Sequence, residues 1–227
     1  MATRLERLQQ RLKDPILTLL TLMLSFLLFV IAPLQAADVV TGNHFGYFFG
    51  LALLPAAFLY SRNLFAVAPI LLAIALVVAA ALLDAGWSSR IDLYLDSAAW
   101  LIAGLALSVV VARAVFEPGR VTYHRVVGAV LLYLNIGLIF VALFGFVALS
   151  VPDAFTNLAT LKGDFAIAGN LIYFSFVTLT TTGYGDIAPL HPYARSLANI
   201  EAIIGQIYPA TLLARLVTLE LAHERRS

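Results

Sequence analysis

Six stretches of this sequence run long with few charges: Pro15–Leu34, His44–Tyr60, Leu64–Leu83, Leu93–Phe116, His124–Ser150 and Tyr193–Leu219. A bilayer core needs about 20 apolar residues of helix to cross it. Inside it every backbone N–H and C=O must be satisfied without water, which leaves helices for runs of this length. The expectation is an all-α membrane protein with six transmembrane helices. The second run is short, and only Ser61, Arg62 and Asn63 separate it from the third, so these two form a tight hairpin. With 62% of its 227 residues hydrophobic and 12% charged, the chain is too apolar for a soluble domain. A net charge of +1 and the lack of a basic patch argue against a nucleic-acid partner. There is no cysteine, and the four histidines never pair at ligand spacing. No cofactor is expected.

Charge sets the orientation. Arg4, Arg7, Arg11, Lys13, Arg62, Arg113, Arg120, Arg125, Arg215, Arg225 and Arg226 fall on one side if six helices thread the bilayer. By the positive-inside rule that side is cytoplasmic and holds both termini, most simply at a plasma (inner) membrane. Residues 1–14 form a cytoplasmic N-terminal segment. Leu5, Leu8 and Leu12 share a helical face there, which suits either a helix on the membrane surface or a solvated extension of the first span. Residues 15–116 make a four-helix module, 117–222 a pore-like unit, and 223–227 a short tail. About eight residues follow Leu219, too few for a nucleotide- or ligand-binding fold. Gating signals are therefore expected to act through the membrane, the pore, pH or lipid.

Between the fifth and sixth runs lies a segment of different character. Residues 166–180 are apolar but too short to span easily, and read as a re-entrant helix. The sequence TLTTTGYGDIAP, residues 179–190, follows at once. Bare carbonyls away from water are costly unless something coordinates them. Gly183 and Gly185 alternate with Thr182 and Tyr184, and glycine tolerates positive φ. Such alternation turns successive carbonyls toward one axis, where a ring of strands can replace the water shell of a cation. One strand cannot surround an ion and the motif occurs once, so several copies must meet, most simply as a cyclic homo-oligomer. The helix before the loop aims its negative dipole end at the same place, and Asp186 adds charge just outside.

The stretch YFSFVTLTTTGYGDIAP resembles the pore helix and selectivity filter of tetrameric potassium channels. The resemblance covers roughly His124 to Leu219, the outer helix–pore helix–inner helix unit. It implies a homotetramer in membrane lipid that conducts potassium ions passively. Carbonyls of Thr181, Thr182, Gly183 and Tyr184, with the Thr181 hydroxyl, would form the ion sites, shaped by Gly183 and Gly185. Tyr184 would point away from the pore and brace the filter. Tyr173 and Phe174 stand where many family members have two tryptophans, and Tyr173 would reach Asp186 at the outer mouth. Thr182 replaces the usual valine or isoleucine, so its hydroxyl needs a partner if buried. That departure leaves a weakly selective cation channel as the alternative.

The resemblance also assigns the last helix. Gly205 takes the place of the family's hinge glycine. Gln206, Pro209, Leu213 and Val217 recur on one helical face. Gln206 would be a wet cavity residue, Pro209 a kink, and Leu213 or Val217 an apolar ring at the gate. Glu201 is the carboxylate deepest in a span, and such a residue is costly unless it has a function. One turn before Gly205, it is expected behind the filter, near Thr178, Thr180 or Thr182. Burial favours its neutral, hydrogen-bonding form.

The front half does not read as a voltage sensor. Leu93–Phe116 holds Asp96 and Arg113 near its ends rather than an arginine at every third position. One charge crossing the field yields about 2.3 kcal/mol per 100 mV, too little for steep voltage gating. Nor does the chain read as an enzyme. Ser25, Ser97, Ser108 and Ser175 have no convincing histidine partner, and the inverted repeats of a carrier are missing.

Overall fold

A computed structural model describes residues 4–37, 90–116, 122–158 and 164–224, with isolated positions at 39, 68, 71–72 and 74–75. Within the helices, the side chains of 4–14, 36, 90–93, 164–166, 213, 216–217 and 219–224 lie outside that description. So do almost all of the expected second and third spans, His44–Tyr60 and Leu64–Leu83. Among the described residues every regular element is helical.

The first span is α1 (Arg4–Phe26), a π turn (Leu27–Ile31) and α2 (Ala32–Ala36). The helix begins well before the apolar run, so the basic N-terminal segment extends the first span rather than turning away from it. The π turn has a local cause. Pro33 has no N–H to offer the Phe29 carbonyl one turn back, and a proline ring crowds that carbonyl. The ladder widens instead, and the Ala32 N–H reaches the Leu27 carbonyl. Next described are α3 (Arg90–Val115), α4 (Tyr123–Ser150), the shorter α5 (Asp164–Leu179) and α6 (Pro192–Glu224).

Among the described residues three helical segments are long and apolar enough to cross a membrane: Pro15–Gln35, Tyr94–Val115 and Tyr123–Ser150. The chain is thus a multi-pass membrane protein with all-helical described segments. Ile167–Leu179 is apolar but shorter, as a re-entrant helix requires. Helix α6 is punctuated by Asn199, Glu201 and Gln206 and is less apolar than α3 and α4.

The central element is α4. It packs against α3 and α1 on one side and against α5 and α6 on the other. Its burial follows: Leu131, Leu134, Leu138, Val141 and Phe144 are all enclosed. Small residues let neighbours approach, as between membrane helices generally. Fully buried Asn135 donates to the Gly104 carbonyl at 2.7 Å and to Ser108 Oγ at 2.8 Å, tying α4 to α3. On the α1 side, Thr21 Oγ1 donates to the Val127 carbonyl at 3.1 Å. Phe144, Phe155 and Phe174 meet edge to face, with centroids 4.9 to 5.8 Å apart, and clamp α5 onto α4. Phe174, expected in an aromatic cuff, is a buried member of this cluster.

Candidate functional site

Residues 180–186 follow directly on the C-terminus of α5. The Thr182 N–H donates to the Val177 carbonyl at 2.9 Å, and the Thr181 N–H to that of Thr178 at 2.9 Å. The last turn of α5 thus holds the start of the loop. Three alternate residues then take positive φ: Thr181 at 56°, Gly183 at 59° and Gly185 at 80°. A chain that changes hand at every second residue turns its carbonyls to one side. Thr181 is the exception to the glycine rule, and threonine rarely adopts this conformation.

The hydroxyl of Thr182 meets Thr180 Oγ1 at 2.9 Å, while Thr180 donates to the Phe176 carbonyl at 2.7 Å. The departure at Thr182 is therefore satisfied two residues away. Tyr184 is 72% exposed in the single chain and lies parallel to Tyr173, with centroids 6.5 Å apart. The Tyr173 hydroxyl lies close enough to Asp186 to feel its carboxylate. Tyr173→Phe is expected to keep the ring stack, lose that polar contact and shorten single-channel open times a few-fold, in keeping with one lost polar interaction beside a charge. Unchanged open times would leave Tyr173 a packing residue.

The far end of the loop carries a clamp that the sequence did not suggest. The segment after α4 pairs with the segment after the loop through an antiparallel bridge between Phe155 and Pro189. Thr156 N–H donates to the Ala188 carbonyl at 2.8 Å, and Ala188 N–H returns a bond to Thr156 Oγ1 at 2.9 Å. Asn157, at φ 51°, donates from its side chain to the Asp186 carbonyl at 2.8 Å. Arg195 Nε reaches the Pro189 carbonyl at 3.1 Å. Asn157 lies 29 residues from Asp186 and carries no local signature of this pairing.

Behind the loop, Glu201 is 0% exposed, yet the hydroxyls of the threonines expected around it bond elsewhere. Its partner is Ser175, whose Oγ lies 2.5 Å from Glu201 Oε1 and 2.9 Å from the Gly137 carbonyl oxygen. The reason is direction. Helices α5 and α6 run the same way, so contacts keep a constant offset: Gly205 abuts Leu179, and one turn earlier Glu201 meets Ser175. The three threonines lie beyond, not beside, Glu201. Ser175 has one proton, and a carbonyl can only accept. A neutral Glu201 that donates to Ser175, which donates to Gly137, satisfies the whole chain. Among the described residues Glu201 Oε2 has no hydrogen-bond partner, which is far cheaper for a neutral group than for a buried charge. Glu201→Gln should be tolerated, because its amide can donate to Ser175. Ser175→Ala should be worse than Glu201→Val, by about 1–3 kcal/mol in thermal unfolding of the purified protein, because it strands a buried carboxyl without a hydrogen bond. The reverse order would show that Glu201 does not depend on Ser175.

On α6, a Cβ at Gly205 would fall on the backbone carbonyl of Leu179, 2.8 Å from its carbon. The same carbonyl accepts the Tyr133 hydroxyl at 3.3 Å, and the Tyr133 ring stacks on Tyr208 at 5.6 Å. Gly205 thus has a close-packing role whether or not the helix bends there. α6 runs unbroken through Gly205 and Pro209. Gln206 reaches back to the loop: its Nε2 lies 2.6 Å from Thr181 Oγ1. Leu213 and Val217 sit further along α6, but their side chains are outside the described residues.

The arrangement is a loop whose carbonyls turn to one side, a helix end leading into it, and an apolar frame. Residues 130–220 match the model of a family described as ion channel. The match covers about two-fifths of the chain and takes in most of α4, the loop and nearly all of α6. It supports an ion channel, and so transport of ions rather than catalysis. No curated protein and no solved structure matches the chain.

Proposed function

We propose that this protein is a potassium-selective channel, a homotetramer whose four 181–186 loops line one central pore. The observation that carries the reading is the alternation of positive φ at Thr181, Gly183 and Gly185 within Thr-Thr-Gly-Tyr-Gly. It is the backbone that a cation stripped of water requires, with carbonyl oxygens in place of its hydration shell. The pairing of Thr182 with Thr180 supports the selective reading over a weakly selective one, because it holds the substituted position in place.

Oligomerisation has its own support. Residues 180–186 are all exposed in the single chain, which no filter could be when assembled with water excluded. Tyr193, Ile200, Ile203 and Ile207 on α6 are also exposed and recur seven, three and four residues apart, as one stripe does. A second copy of the chain is the natural cover for an apolar stripe beside a quarter of a pore. The surrounding module, residues 15–116, lacks sensor arginines, so gating is not steeply voltage-dependent. The membrane is the plasma (inner) membrane, with both termini cytoplasmic.

The test is reconstitution in planar bilayers with mixed potassium and sodium. Reversal potentials should follow the potassium gradient, and native mass spectrometry should find four chains. A conducting monomer or dimer would end the tetramer reading, and a reversal potential indifferent to the two cations would favour the weakly selective alternative.

A further inference from the structure

We infer that Gln206 is a specificity-determining residue that weakens and orients the innermost ion site by hydrogen-bonding the Thr181 hydroxyl. The inference rests on the proposed pore, in which the Thr181 hydroxyl faces the ion nearest the cavity. Gln206 Nε2 lies 2.6 Å from Thr181 Oγ1, across 25 residues of sequence. Among the described residues no other hydrogen bond joins α6 to residues 180–186. The neighbouring hydroxyls are already committed, Thr180 and Thr182 to each other and Thr178 to the Phe174 carbonyl at 2.8 Å. Thr181 is therefore the loop hydroxyl left to face the cavity, and Gln206 is the group that holds it.

The chemistry has a definite sign. A hydroxyl oxygen has two lone pairs. One accepts the Gln206 N–H, which leaves one for a cation. The positive end of the amide dipole also lies beside that cation. In a fourfold assembly four amides would ring the inner end of the filter. Each would draw electron density from a ligand oxygen and place partial positive charge next to the site. The hydroxyl is kept in one rotamer, while the site's grip on a cation is relaxed. Conduction needs such a balance, because an ion must bind well enough to enter and weakly enough to leave. The effect should be larger on a divalent cation, since the interaction scales with charge.

Barium, a divalent cation close to potassium in size, is the probe. Block by cavity-side barium is measured in reconstituted channels for wild type, Gln206→Leu and Gln206→Asn. Leucine has no donor, and asparagine keeps the amide on a stem one methylene shorter, which falls short of Thr181. Both variants should be blocked about tenfold more tightly than wild type, the equivalent of one hydrogen bond. The blocking constant is read per open channel, so a variant that only folds less well lowers the current without moving it. Equal or weaker barium block in both Gln206 variants, with potassium-selective current intact, would overturn the inference alone. Wild-type protein that passes no potassium-selective current would overturn the pore reading and this inference with it.

Discussion

Gly205→Ala should abolish assembly of the channel. The added Cβ would fall on the Leu179 backbone carbonyl, not on the end of a side chain that could swing aside. That carbonyl cannot retreat freely, because it ends α5, carries the loop and accepts the Tyr133 hydroxyl. Overpacking a core commonly costs about 1–3 kcal/mol and more where backbone must move, so a loss above about 3 kcal/mol per subunit is expected. The readout is the fraction of purified protein that runs as an oligomer in mild detergent. Gly128→Ala is the control. There the Cβ would meet Val115 Cγ2 at 3.0 Å and Leu17 Cδ1 at 3.1 Å, side-chain atoms that can give way. Gly128→Ala should assemble. If Gly205→Ala assembles equally well, close packing is not what this glycine provides, and a role in bending alone would remain.

Gly183→Ala and Gly185→Ala should assemble but lose selectivity between potassium and sodium. Nothing lies within 4 Å of a Cβ at either position, so the penalty is conformational rather than steric crowding. An L-residue in the left-handed region costs roughly 1–2 kcal/mol, and the four subunits of the proposed tetramer would multiply it. The two sites should differ. Gly183, at φ 59°, sits where Thr181 shows that a side chain can be held. Gly185, at φ 80°, lies outside the narrow left-handed well open to other residues. Gly185→Ala should therefore be the more damaging. Bi-ionic reversal potentials measure this directly. Unchanged selectivity in both variants would remove the loop from the ion path.

The features legible in the sequence are local ones. Long apolar runs mark helices because a bilayer offers the backbone no partners. The alternation of glycine in residues 181–186 marks the carbonyl-aligned loop because only positive φ produces it. The position of Glu201 one turn before Gly205, on the same face, follows from helix periodicity. The partner of Thr182 was within reach of the same local reading, since Thr180 is two residues away.

What only the tertiary structure decided depends on the direction and register of elements far apart in the chain. Glu201 meets Ser175 because α5 and α6 descend together, and no residue pattern states that two helices are parallel. Gln206 meets Thr181 by the same register, so the residue expected in the cavity also hydrogen-bonds the loop. The outer clamp of Thr156 and Asn157 on residues 186–188 joins two loops whose approach is set by the aromatic packing of α4 and α5. Helical period places a residue on a face. Which neighbour covers that face is settled by packing across the whole pore unit, where burial of a polar group is tolerated only beside a matching partner.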